Sequence, residues 1–341
     1  MSARIRVAVL AGGRSSEHEI SRASATSVSA ALDPGRYDVF QVEIGRDGRW
    51  SLPSGRQERE LPSAAETLPI PADSAPATLG AVDVVLPILH GPFGEDGTVQ
   101  GLCELAGVAY VGPGVLASAL CMDKDVFKRV MRDQGVPVAR HVALRLGDAL
   151  ENPFGYPVFV KPARLGSSVG ISKVRSPEEL EEAVALARRH DEKVLVEEFV
   201  PGMEIEVAVL GNLPMPEASL PGQVVSHLAD WYDTASKYDE GGSDLIVPPP
   251  GLADAQIERA QQLAVQAFVA TECEGMARAD FFVRGTDGEI VMNELNTIPG
   301  FTATSFYTRL FEASGWTYAA LLDRLIALAL ERHERRSGLQ Y

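Results

Sequence analysis

Around Thr286-Asp287-Gly288 the chain carries two runs rich in apolar and β-branched residues, Ala279–Val283 and Glu289–Leu295. Such a pattern predicts an antiparallel hairpin. With Asp287 at the centre of the turn, Asp280 faces Glu294 and Arg278 faces Asn296. Side chains alternate along a strand, so these four share one face, together with Phe282 and Met292. The opposite face holds Ala279, Phe281, Val283, Val291 and Leu295, with Asn293 its one polar member. A slip of one residue would mix polar and core positions, so the pattern favours this register.

Two carboxylates and a carboxamide in one patch offer only oxygen donors, the set that hard cations such as Mg²⁺ prefer. The neighbouring Arg278 cannot ligate a metal but can hold anionic oxygen. A solvated, ion-paired sheet face accounts for the same spacing. Directly after it, Thr297-Ile-Pro-Gly300 enters a turn that can leave backbone N–H groups free near the patch.

Elsewhere strands and helices alternate. Ile5–Leu10 reads as a strand that ends at Gly12-Gly13, and a helix follows with Ser16 and Glu19 at capping-box spacing. Asp33-Pro34-Gly35 stops it, Val39–Ile44 is a second strand, and Asp47-Gly48 turns toward Trp50. The Pro/Ala/Ser/Glu-rich stretch 52–79 reads as a surface excursion, and Val82–Leu89 as a buried parallel strand. This alternation predicts an α/β domain over about the first 120 residues. Further on, helices are expected over 123–134, 176–190, 253–271 and 318–335, and strands over 158–161, 171–174, 193–199 and 204–210. The polar stretch 221–250, which holds Trp231, Tyr232 and Tyr238, is long enough to have a function of its own.

Lys161 ends an apolar strand and runs into Gly166-Ser167-Ser168-Val169-Gly170. Such a loop can wrap phosphates with amides and hydroxyls, and the lysine supplies a point charge; a flexible structural hairpin has the same composition. It also spells G-x-S-x-G, but that hydrolase elbow needs a helix next, and here a strand-like Ile171-Ser-Lys-Val follows. No Walker A loop is present. Lys124, at a helix start, is by itself an ordinary surface lysine. Glu197-Glu-Phe-Val200 and Pro201-Gly-Met-Glu204 could line a planar base with main-chain groups and an apolar wall, or could simply be an edge strand and a turn.

Composition narrows the function. A net charge of −16 with no basic cluster argues against nucleic-acid binding. No apolar run approaches a membrane span. Cys103, Cys121 and Cys273 form no C-x-x-C pair, which suits a reducing compartment, so a cytoplasmic location is expected.

Together the motifs resemble the ATP-grasp superfamily and, within it, the D-alanine–D-alanine ligases. The resemblance is carried by Gly12-Gly-Arg-Ser-Ser-Glu17, His90-Gly-Pro-Phe-Gly-Glu-Asp-Gly97 and Met122-Asp-Lys124. It continues through Val160–Gly170, Tyr232–Tyr238, Arg278-Ala-Asp280 and Asn293–Gly300, in family order along nearly the whole chain. It implies three consecutive α/β domains: a Rossmann-like one over 1–121, a central ATP-grasp subdomain over 122–201, and a C-terminal one over 202–341 with a mobile loop at 221–250. It also implies a two-step ligation through an acyl phosphate, for peptidoglycan precursor synthesis.

The same resemblance implies two Mg²⁺, with Mn²⁺ as an alternative, on Asp280, Glu294 and Asn296, Glu294 bridging. Lys124, Lys161 and Lys237 would hold ATP phosphates. Glu197, Phe199, Val200 and Glu204 would line the adenosine pocket, with Phe282 and Met292 near the base. Arg278 and the Gly300 N–H would stabilise the oxyanion. Glu17 would bind the first substrate's ammonium, linked by hydrogen bonds to Ser167 and Tyr238, whose loop closes over the site. His90 would lie near the first D-alanine; Ser305 would hold the second substrate's carboxylate, with Phe306 beside it. A homodimer is implied. A D-alanine–D-serine ligase or another D-amino-acid ligase is the alternative, because the Ile298–Phe306 segment departs from commoner family sequences. A non-catalytic ATP-binding regulator predicts a damaged metal trio or missing lysines, and a carboxylase-type relative lacks the Glu17 and Tyr238 motifs.

Overall fold

The computed structural model describes residues 4–51, 82–227 and 242–340. The first sheet holds β1 (Ile5–Gly12), β2 (Tyr37–Ile44), β3 (Trp50–Ser51), β4 (Val84–Pro87) and β5 (Ala109–Tyr110) in the order β3-β2-β1-β4-β5. β1 is parallel to β2 and β4, and only β3 runs antiparallel, through the expected Asp47-Gly48 turn. Val7, Ala8, Val9 and Leu10 are all fully buried, as a parallel strand covered on both faces must be. Val7 and Val9 pack with α1 (His18–Ala31), while Ala8 and Leu10 pack toward α2 (Thr98–Leu105). Helix α1 begins at His18 and its N-cap is Glu17, which corrects the Ser16 capping box. The Glu17 N–H is taken by the Ser15 hydroxyl at 3.3 Å, and no side chain caps the helix.

Next come α3 (Val115–Met122) and α4 (Lys124–Asp133), the latter capped by Asp123, which accepts from the Val126 N–H at 3.2 Å. The second sheet is antiparallel: β6 (His141–Leu144), β7 (Val158–Pro162), β8 (Ser172–Val174) and β9 (Val194–Glu198), ordered β6-β9-β7-β8. Helix α5 (Pro177–Ala187) covers one face, burying Val158, Val160, Val194 and Val196 against Leu180 and Val184. The alternate positions Phe159, Lys161 and Glu197 therefore face the other way.

Pro201 carries the chain into the third sheet: β10 (Gly202–Gly211), β11 (Glu217–Ala218), β12 (Gly222–Ser226), β13 (Ser243–Ile246), β14 (Gly275–Arg284) and β15 (Ile290–Asn296). Its path is β13-β12-β10-β14-β15, with β11 paired to β10. Helices α4 and α6 (Asp254–Ala270) bury Phe127, Met131, Leu263 and Phe268 against Val207, Ala279 and Phe281. α7 (Phe306–Ala313) and α8 (Tyr318–Ser337) complete the chain.

Helix α8 buries Leu321, Leu322, Leu325 and Ile326 along one stripe, in the same core as Val7 and Val9. Its Arg332, 3% exposed, donates to the carbonyls of Gly112 and Tyr110 and stacks 4.3 Å over the Tyr110 ring. Arg332→Met would orphan two buried carbonyls. We expect it to cost about 2–4 kcal/mol of stability, read as a lower urea midpoint; an unmoved midpoint would deny this helix its clamping role.

Candidate active site

The hairpin forms as predicted at its functional end: Arg278 pairs with Asn296 and Asp280 with Glu294. The register then shifts between Asp280 and Phe281. From there toward the turn Phe281 opposes Met292 and Phe282 opposes Val291. This corrects the expected partnership of Phe282 and Met292. Met292 lies in the core with Phe281, whereas Val291 packs with Val200, Ala139 and Phe282. The extra residue is Asn293, a β-bulge in place of a polar residue in the core. Its Oδ1 accepts from Lys161 Nζ at 3.4 Å, so a site residue had been hidden in that exception.

A cleft between the second and third sheets collects Lys124, Lys161, the Gly166–Ser168 turn, Glu197–Val200, Glu204, Asp280, Phe282, Asn293 and Glu294. Lys124, 6% exposed, sits 3.0 Å from Glu294 Oε2 and donates to the Leu165 carbonyl at 2.9 Å. One lysine thus ties the hairpin patch to the glycine loop. Lys161 Nζ lies 2.5 Å from Glu197 Oε1. The other oxygen of Glu197 lies 2.9 Å from Lys128 Nζ, a fully buried ammonium. Burial alone would push Glu197 up, but Lys128 and Lys161 hold it below the ordinary carboxylate range. Its side chain is therefore committed to lysines, and what it can offer a base is main chain.

Phe159, Phe199, Val200 and Phe282 form the apolar wall. The Phe199 ring is 6.0 Å from that of Phe159 and lies under Lys173 Nζ at 4.2 Å. Glu204 stands opposite Phe282 in the β10–β14 ladder. A wider cleft of about 620 Å³ shares Phe199 and Val200 but is lined by Arg132, Arg140 and Arg284 and holds none of the predicted phosphate or metal residues.

Arg278 is the electrostatic centre of the patch. Its Nε and Nη2 each donate at 2.8 Å to the two oxygens of Asp280, and Nε lies 3.1 Å from Glu206 Oε2. Asn296 Nδ2 also donates to Asp280 Oδ2 at 2.8 Å. Among the described residues no cluster of three His, Cys, Asp or Glu could hold a metal. The Asp280–Glu294–Asn296 set supplies two carboxylates and a carboxamide on alternate ladder rows, an oxygen-only donor set that fits Mg²⁺.

The glycine loop is held in an unusual conformation. Ser167 (φ 53°) and Ser168 (φ 57°) are left-handed, a strained state that persists only where the surroundings enforce it. β8 follows, so the loop lacks the helix a hydrolase elbow requires. A Cβ placed on Gly91 would come 3.2 Å from Glu17 Oε2, and one on Gly166 3.8 Å, so Glu17 reaches between the His90 loop and the glycine loop. His90 is buried, with Nδ1 3.0 Å from the Ile298 carbonyl and 3.6 Å from Glu95 Oε1. Burial works to lower its pKa, but Glu95 and Glu17 outweigh this and raise it. Ser305 Oγ accepts from the Thr302 N–H at 2.9 Å and lies beside Gly300, where a Cβ would approach it to 3.3 Å. Phe306 is partly buried against the first core. Lys237 and Tyr238 lie outside the described residues.

Lys128 and Glu206 were missed in the sequence. A signal existed for Lys128: it falls on the buried stripe of α4 with Lys124, Phe127 and Met131. Glu206 gave none, because its partner Arg278 sits on a strand about seventy residues away.

Residues 6–113 match the family model described as D-ala D-ala ligase N-terminus, and residues 130–327 that of D-ala D-ala ligase C-terminus. The D-alanine–D-alanine ligase of Mycolicibacterium vanbaalenii is 47% identical over 368 aligned residues, spanning 97% of this chain and 99% of that one. Among solved structures, the D-alanine–D-alanine ligase from Coxiella burnetii superposes with a TM-score of 0.83 at 36% identity, over 98% of this chain and 96% of that one. A D-Ala:D-Ser ligase from Enterococcus faecalis gives 0.82 at 33% identity, over 96% and 100%.

Proposed function

This chain belongs to the D-alanine–D-alanine ligase family of the ATP-grasp superfamily, and we propose that it joins two D-alanines with the side chains gathered in the cleft. The observation that carries the proposal is the ion pair between Lys124 and Glu294, which sets a phosphate-binding cation directly against a metal-binding carboxylate. Phosphoryl transfer asks for positioning and charge neutralisation, and this is where they converge.

The carboxylate of the first D-alanine attacks the γ-phosphorus of ATP, giving an acyl phosphate and ADP. Lys124 and Lys161 neutralise phosphate oxygens, with Lys237 as a third. Asp280, Glu294 and Asn296 would hold two Mg²⁺, which supply charge neutralisation between the phosphates. The amine of the second D-alanine then attacks the acyl carbonyl, and phosphate leaves. Arg278 and the Gly300 N–H would hold the developing oxyanion, where fixed donors count most. Glu17 takes the first ammonium, with Ser167 and Tyr238 linked to it, and His90 lies near that substrate. Ser305 takes the second carboxylate beside Phe306. Phe199, Val200, Phe282 and the main chain at Glu197, with Glu204, form the nucleoside wall.

The intact metal trio and both lysines speak against a non-catalytic regulator. We assign 1–121, 122–201 and 202–341 as the three domains, and a cytoplasmic homodimer as the working state. Among the described residues no helix is long and apolar enough to cross a membrane.

Phosphate release with ATP, Mg²⁺ and D-alanine, followed by mass spectrometry, tests this reading. D-alanyl-D-alanine is expected, and no product with L-alanine. Release only when D-alanine is paired with D-serine would move the second subsite. No release with any amino acid would overturn the proposal.

A further inference from the structure

A further lysine lies beneath Lys124 and Lys161. Lys128 follows Lys124 by one helical turn in α4, and its side chain is 0% exposed, so it can touch no ligand. It meets one oxygen of Glu197 at 2.9 Å while Lys161 meets the other at 2.5 Å. Glu197 is itself 2% exposed.

A fully buried ammonium is costly, and an apolar side chain would usually serve packing as well. Its presence here has a consequence for Lys161. A carboxylate with a single lysine cancels that lysine's charge and can claim it with both oxygens. With Lys128 taking Oε2, only Oε1 remains for Lys161. Burial lowers the Lys128 pKa against the pull of Glu197, and while both lysines are protonated the trio of two lysines and one glutamate carries a net charge of +1. His141, paired with Glu197 in the β6–β9 ladder, is buried and titrates below its ordinary value, so it adds no charge near neutrality. Asn293 Oδ1 also accepts from Lys161 at 3.4 Å, a contact with an uncharged group that leaves the ammonium's charge in place.

We propose that Lys128 is a positioning residue: by engaging Glu197 from beneath, it keeps the Lys161 ammonium uncancelled and turned to the ATP phosphates. The inference rests on the assignment of Lys161 to phosphate.

Charge arithmetic makes it testable. Lys128→Met leaves Lys161 and Glu197 as a neutral pair, whereas Lys128→Met with Glu197→Gln leaves Lys161 alone, again at +1. Calorimetric titration of the full chain with ATP and Mg²⁺, without amino acid, should show Lys128→Met binding ATP about tenfold more weakly. The KM for ATP should rise in step while the KM for D-alanine stays put. Lys128→Arg, and the double variant, should recover most of the ATP affinity even if their thermal midpoints fall, which a purely structural role would not produce. Wild-type ATP affinity in Lys128→Met, or a double variant that binds ATP no better than the single, would overturn the inference and leave the ligase reading standing. A wild-type chain that binds no ATP would overturn both.

Discussion

Replacing Glu294 by Gln is expected to reduce turnover by about a thousandfold or more while the chain still folds. Glu294 faces Asp280 across the β14–β15 ladder, and one of its oxygens lies 3.0 Å from Lys124 Nζ. Glutamine keeps the shape and loses the charge. The proposed metal site would then have a single carboxylate, and Lys124 loses its counter-charge on the hairpin. Metal neutralisation of a transferring phosphoryl group is worth several kcal/mol, and about 4 kcal/mol corresponds to that thousandfold. Stability should suffer far less, because the Glu294 side chain stands at the cleft's edge and Lys124 keeps its bond to the Leu165 carbonyl. Steady-state rates across a Mg²⁺ titration, beside thermal melting, decide it. Near-normal turnover at saturating Mg²⁺ would remove the hairpin from the metal site.

The hairpin also shows what a single sequence can and cannot reveal. Its functional end was legible because Arg278, Asp280, Glu294 and Asn296 are polar at strict two-residue spacing, and only one register gathers them. The bulge was not legible. Alternation tolerates one exception, and Asn293 looked like one until the ladder placed it beside Lys161. Past the bulge every partner moves by one residue, which is why Met292 packs with Phe281 in the core and Val291 with Val200 and Phe282. The buried carboxylate at Glu197 was harder still, since its two lysines come from α4 and β7 and nothing local pairs them. The same applies to His90, whose carbonyl partner Ile298 lies 208 residues along the chain. Motif order singled out Lys124, Lys161, Glu197, Asp280 and Glu294, which the fold gathers into one cleft, but not which of them spend their charge on one another.

That distinction is sharpest at Arg278, where substitution by Met should damage both stability and chemistry. The guanidinium is forked onto both oxygens of Asp280 at 2.8 Å and stands 3.1 Å from Glu206 Oε2, a side chain with 0% exposure. Removing the cation leaves two neighbouring carboxylates to repel each other in a dry site. Breaking a buried pair in this way costs about 3–5 kcal/mol. Loss of a preorganised oxyanion donor should lower kcat by a further factor of about 10²–10³ in the molecules that remain folded. The two effects separate. Arg278→Met with Glu206→Gln removes the worst repulsion, so the urea midpoint should recover much of its loss while kcat does not. Arg278→Lys restores a charge but cannot match two oxygens in parallel, so it should rescue stability better than rate. If the double variant instead regained turnover along with its midpoint, Arg278 would be a structural counter-ion for Glu206, and the oxyanion would rest on the Gly300 N–H alone.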